Sequence, residues 1–283
     1  MSDLAVTTPT WDSSFRTLAP LAHCEGVALG PDGLLYAGDE GGRLFRVDPA
    51  AGVHAQVGQI DGWALGLCLD GDGLVYVCAF DRGAVVRVDL RSGRSEIYAE
   101  ELGLPNWPVF GPDGTLYVSD SGSEEIGAEA GRVLAIPPGG GQAEALPIRP
   151  LAFANGMALG HDGTLYVAES FVRPGVVAVK DGRVETWCEL PGTVPDGLAL
   201  DEEGGIVVTS YQPNRLLRIA PGGGSATLLL DDWAGQRLLT PTNAAYFGPD
   251  LRGLAISSLC GWSLSAIDTP WRGQPLHFPR LPQ

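Results

Sequence analysis

The sequence predicts an all-β protein: a six-bladed β-propeller with four antiparallel strands per blade, closed by pairing of its terminal strands. Three observations carry that prediction. A segment with a Gly/Asp-rich turn at its centre recurs six times, with start-to-start spacings of 40, 41, 49, 41 and 47 residues. Short strands at that period are the pattern of propeller blades. Forty glycines and 22 prolines coexist with 45% hydrophobic residues, so the chain is rich in turns yet apolar enough to build a core. No stretch has the length and 3.6-residue period of a helix; residues 231–239 come nearest.

The six copies are EGVALGPDGLLYAGD from Glu25, LGLCLDGDGLVYVCA from Leu65, NWPVFGPDGTLYVSD from Asn106, NGMALGHDGTLYVAE from Asn155, DGLALDEEGGIVVTS from Asp196 and NAAYFGPDLRGLAIS from Asn243. Each reads as two strands joined by a tight turn, because Gly and Asp tolerate positive φ. A third strand follows at 43–47, 84–88, 132–136, 175–179, 215–219 and 263–267. A looser fourth is expected in most copies, as at 54–57, 95–98 and 184–187. Residues 14–18 match an outer strand ahead of the first copy, and 276–278 match one after the last; one of them should complete the sixth blade. No linker or charge run divides the chain, so residues 1–283 read as a single domain. The longer periods carry insertions at 121–131 and 231–239, expected as loops, the first a lid at the site.

Thirty-four acidic against 18 basic residues give a net charge of −16. Such a surface repels nucleic acid and anionic membranes. No apolar run reaches membrane-spanning length, and the first 15 residues lack the pattern of a signal peptide. Five cysteines without C-x-x-C spacing read as reduced thiols. A cytoplasmic protein, monomeric or weakly oligomeric, with no nucleic-acid or membrane partner, is expected.

Counting back eight residues from each turn gives the blade openers: Glu25, Leu65, Asn106, Asn155, Asp196 and Asn243. Five of the six carry side-chain oxygen. In a propeller these positions face the central channel at one mouth. Second strands return to the same mouth and end at Asp39, Ala79, Asp120, Glu169, Ser210 and Ser257. Two rings of oxygen ligands are therefore expected there. Carboxylates with amide oxygens suit a hard divalent cation: Ca2+ is the expected ion, with Mg2+, Mn2+ or Zn2+ as alternatives. None of the four histidines falls in the ring.

These residues resemble the SMP-30/gluconolactonase family of six-bladed propellers over 25–268. The resemblance rests on C-E-G-V at Glu25, P-N at Asn106, N-G at Asn155 and P-D-G-L at Asp196. It implies that Glu25, Asn106, Asn155 and Asp196 bind one divalent cation and that Asp196 also acts in catalysis. Asp120, in Y-V-S-D, is similar to an acidic strand end of bacterial gluconolactonases. Trp107 stands where the family commonly has Asp, and Leu104 where animal members have a sugar-binding Arg. The resemblance thus implies a metal-dependent hydrolase of a lactone or related ester, with Asp196 as general base or nucleophile. The missing Arg and the Trp shift the expected substrate towards a less polar lactone. Trp63, Phe80, Trp107, Phe171, Tyr211 and Trp262 are rim candidates, and Trp107 and Tyr211 are expected to face the substrate. Two other readings use the same fold: a non-catalytic binding propeller with a structural cation, and a strictosidine-synthase-like condensing enzyme.

Overall fold

A computed structural model describes residues 14–125 and 127–281. The reading of the N-terminus as lacking a signal peptide falls almost wholly outside the described residues, as does Ile126 of the first insertion. Among the described residues there are 24 strands and no α-helix. Among the described residues no helix is long and apolar enough to cross a membrane.

Four copies of the repeat each form a separate four-stranded antiparallel sheet in simple sequential order. Their innermost strands are Ala64–Leu69, Pro105–Phe110, Ala154–Leu159 and Pro195–Leu200. The first and last copies merge into one eight-stranded sheet, where separate sheets were expected. Their innermost strands are Cys24–Leu29 and Pro241–Phe247. The junction is a single pair, Cys24 with Ser258. It arises because the link between the first two strands is tied to the neighbouring loop, His23 N donating to Gly261 O at 2.9 Å. Around the molecule each innermost strand lies beside the next, and the last lies beside the first.

The termini follow one of the two expected arrangements. Arg16–Ala19 pairs antiparallel with Leu264–Asp268 and completes the last copy. Residues 276–278 are not a strand; they cross the far end of the channel, where Gln274 N reaches Leu200 O and Gly71 N reaches Pro279 O. Residues 231–239 contain no helix: Asp231 ends an outer strand and a turn-rich loop follows. The described part of 121–131 is also irregular.

Second strands such as Val75–Ala79 and Ile206–Ser210 are buried along their whole length. Their sheets are packed on both faces, so continuous apolar runs replace alternation. The core lies between sheets: Tyr76 of the second copy meets Phe110 of the third edge-to-face, with ring centres 4.9 Å apart. Where neighbouring innermost strands meet there is no room for a side chain at their glycines. A Cβ on Gly26 would lie 2.2 Å from Leu65 O, and one on Gly66 2.3 Å from Asn106 O. Gly26→Ala should therefore cost about 1–3 kcal/mol through overpacking. Urea denaturation would read this as a lowered midpoint at unchanged slope; an unchanged midpoint would show that the strands have room to separate.

Candidate functional site

Each innermost strand begins with a β-bulge, in which two residues oppose one on the second strand. Cys24 pairs with Asp39 and Gly26 with Gly38, so Glu25 is the extra residue. The same irregularity covers Asn106, Asn155 and Asp196. A bulge re-aims a side chain that an unbroken strand would direct to one face.

The sixth copy corrects the sequence-derived ring. Pro241 pairs with Ser258 and Asn243 with Ser257, so the extra residue is Thr242. Asn243 takes the place that Gly26 and Gly197 hold in their copies. The last hairpin is one residue longer on each strand, and counting back eight from its turn falls one residue short. Asn243 instead turns its Oδ1 to the adjacent Ala244 N at 2.8 Å.

Asn106 and Asn155 are buried in matching frames. Asn106 Nδ2 donates to Ser121 Oγ at 3.2 Å, and Ser121 Oγ donates to Ala154 O at 3.0 Å. Asn155 Nδ2 donates to Ser170 Oγ at 3.0 Å, and Ser170 Oγ donates to Pro195 O at 2.7 Å. Each hydroxyl spends its proton on a carbonyl and must accept from the amide. That fixes the amide orientation and leaves each Oδ1 for another partner.

Glu25 and Asp196 interact electrostatically without a counter-charge. Burial pushes the Glu25 carboxyl up to about 8, helped by Glu40. Burial also holds Asp196 well above the usual carboxylate range, the charge of Glu25 adds to this, and a hydrogen bond from Asn155 opposes it. No basic side chain acts on either group. Glu25 Oε2 is buried with no hydrogen-bond partner. An orphaned buried oxygen beside a second carboxylate is a costly arrangement unless a proton or cation joins it. The donor set therefore fits a hard cation: two carboxylates and two amide oxygens. Among the described residues no three His, Cys, Asp or Glu side chains cluster to hold a metal, so the amides are essential to that fit.

The second ring expected from the sequence is committed elsewhere. Asp120 accepts from Gly103 N, Leu104 N, Gly122 N and Arg132 Nε, the last at 2.8 Å. Asp39 is held by Gly41 N, Arg43 N and Arg43 Nε. Glu169 is held by Arg149, Arg173 and Ala152 N. These acids pin loops, and Asp120 has no oxygen left over for a substrate.

Tyr211 is half-buried, and its phenol is pushed up by burial and then by Cys260, Glu25 and Asp196. This places it close to both site carboxylates. His23 stands edge-to-face against Trp262, 5.1 Å between centres, and Phe153 against Phe171 at the same distance. Trp107 does not overhang the mouth. Its indole packs with the Met157 and Val133 cluster, and a Cβ on Gly66 would touch its Cε3 at 2.6 Å. It lines an apolar part of the channel beneath the openers. Sequence reasoning missed Thr242, the Ser121 and Ser170 hydroxyls, Glu40 and Cys260. The only written signal was the Ser directly following the second-strand acid in S-D-S and A-E-S. All five cysteines are free thiols, with Cys260 exposed.

The comparisons with known proteins agree with this architecture. The model of the SMP-30/gluconolactonase/LRE-like region matches residues 40–259, and the chain belongs to that family. The N-terminal part of strictosidine synthase-like proteins matches residues 22–47. No curated protein matches the chain. Among solved structures, a gluconolactonase from Xanthomonas campestris superposes with a TM-score of 0.73 at 20% identity, over 90% of this chain and 89% of that one. Regucalcin from Agrobacterium tumefaciens, a calcium-binding protein, gives 0.75 at 18%, over 95% and 97%. The PQQ-bound aldose sugar dehydrogenase of Streptomyces coelicolor gives 0.72 at 19%, over 89% and 96%. At these identities the likeness is one of fold.

The carboxylate pair sets a pH dependence. The folded state keeps the Glu25 proton up to about 8, whereas the unfolded chain releases it near 4.5. The Glu25 contribution to stability without divalent cations is thus full below 4.5 and is lost as pH rises through about 8. Glu25→Gln should flatten that decline. Urea midpoints measured in EDTA across this range would test it, and parallel profiles for the two proteins would show that Glu25 is not buried with its proton.

Proposed function

We propose that this chain is a divalent-metal-dependent hydrolase of a lactone or related ester, built as a six-bladed propeller. The eight-stranded sheet is read as two blades joined at one pair, which makes six with the four separate sheets. The observation that carries the functional reading is the orphaned Glu25 Oε2 beside the buried Asp196 carboxyl.

Glu25, Asn106, Asn155 and Asp196 would hold the cation, Ca2+ in the first instance. When bound, the ion supplies positive charge that polarises a substrate carbonyl. The residues do the remainder. The Ser121 and Ser170 hydroxyls fix the two amides, so the site is organised before substrate arrives. Asp196, ionised beside a cation, takes a proton from the attacking water or attacks the carbonyl carbon itself. Tyr211, on which both carboxylates act electrostatically, would donate a hydrogen bond to a substrate oxygen. The half-buried Tyr211 ring would add an apolar face that favours a substrate with an apolar portion.

Asp196→Asn should lower kcat/KM by at least about 100-fold, the smaller end of general-base effects, without unfolding the protein. EDTA should abolish turnover across a panel of sugar and apolar lactones, and Ca2+ should restore it. Turnover that persists in EDTA would exclude metal dependence. Metal binding with no turnover of any lactone would favour a binding propeller with a structural cation.

A further inference from the structure

We propose that the central channel holds a second site, beneath the opener ring, for a compact uncharged apolar molecule about the size of a benzene ring. The openers take no part in it. Its wall begins one or two residues deeper on each strand, at Val27, Leu67, Trp107, Met157 and Leu198, and encloses about 100 Å3. Well-packed interiors contain few voids larger than a water molecule. This hollow could admit several waters by volume, since one needs only about 10–15 Å3. Each water also needs two to four polar partners, and the wall is mainly apolar. Gln274, which borders it with Tyr246 and His277, already commits its Nε2 to Leu159 O at 2.8 Å. A hollow with such a lining favours apolar guests over water. The half-buried Trp107 indole supplies a flat face for a ring.

The far end gives the route of entry. Gln274 N is bonded to Leu200 O at 2.9 Å, and Pro279 O accepts from Gly71 N at 2.8 Å. Between those anchors, residues 275–278 make no backbone–backbone hydrogen bond among the described residues. Leu276 is half exposed while also facing the hollow. The strap thus covers the opening with side chains, and few hydrogen bonds oppose its lifting.

Benzene and xenon are the probes. Benzene near saturation should raise the Tm of the wild-type chain by about 2 °C or more, because a ligand of the folded state alone stabilises it. Crystals under xenon pressure should show density in the hollow, beside Trp107 and Ala158. Ala158→Leu extends a side chain into the hollow and should remove both effects. If that variant does not unfold cooperatively, Ala199→Leu on the neighbouring strand replaces it. Absence of xenon from the channel together with an unchanged wild-type Tm would overturn the proposal, as would a benzene shift of equal size in the filled variant. Neither measurement involves a cation or a lactone, so the result is independent of the hydrolase reading.

Discussion

The mouth of the channel depends on how closely the innermost strands approach one another. Glycine permits that approach, and hydroxyl groups fasten it. Ser121 Oγ bonds Ala154 O, Ser170 Oγ bonds Pro195 O, Thr209 Oγ1 bonds Thr242 O, and Thr242 and Ser257 both bond Glu25 O. Each bond joins one repeat to the start of the next. A neutral hydrogen bond contributes about 0.5–1.5 kcal/mol, but a buried carbonyl left without one costs more. The clasps therefore matter most as geometry. They fix where each bulge sits, and the bulges fix where Glu25, Asn106, Asn155 and Asp196 point.

The same residue types serve opposite purposes a few ångströms apart. Asp39, Asp120 and Glu169 are buried carboxylates with arginine and backbone N–H partners. Their charge is neutralised within the protein, and they hold loops. Glu25 and Asp196 are buried carboxylates whose strongest charged influences are other acids. Removing an arginine from the first group would leave a buried charge unpaired. Adding a cation to the second would relieve one. That contrast separates acids neutralised within the protein from those left for the proposed cation.

Much of this was legible in the sequence. Six turn-centred copies gave the strands, and residues 132–136 and 215–219 fall where expected. The openers in five copies were found by counting from the turns, because those hairpins share one length. The sixth failed because its strands are longer, a difference that leaves the turn unchanged and so leaves no mark on the spacing. Asp120 resembled a site residue because its arginine partner, Arg132, sits across a sheet ladder after an insertion. Trp107 is expected to face the substrate from the sequence because it directly follows the opener Asn106. The open position was instead over Gly66 of the neighbouring strand, which has no side chain to resist an indole. Pairing across strands and clearance between sheets are both invisible to local pattern.

The strap at the far end bears on the mouth as well. A channel open at both ends would let water reach the opener ring from below. The segment from Gln274 to Pro279 covers that end, and the apolar wall between it and the ring offers water few partners. Burial is the main cause that raises the pKa of Glu25 and Asp196, and the same surroundings would strengthen their attraction for a cation. By covering the opposite end of the channel, the segment from Gln274 to Pro279 would add to the burial on which the charge state of the proposed site depends.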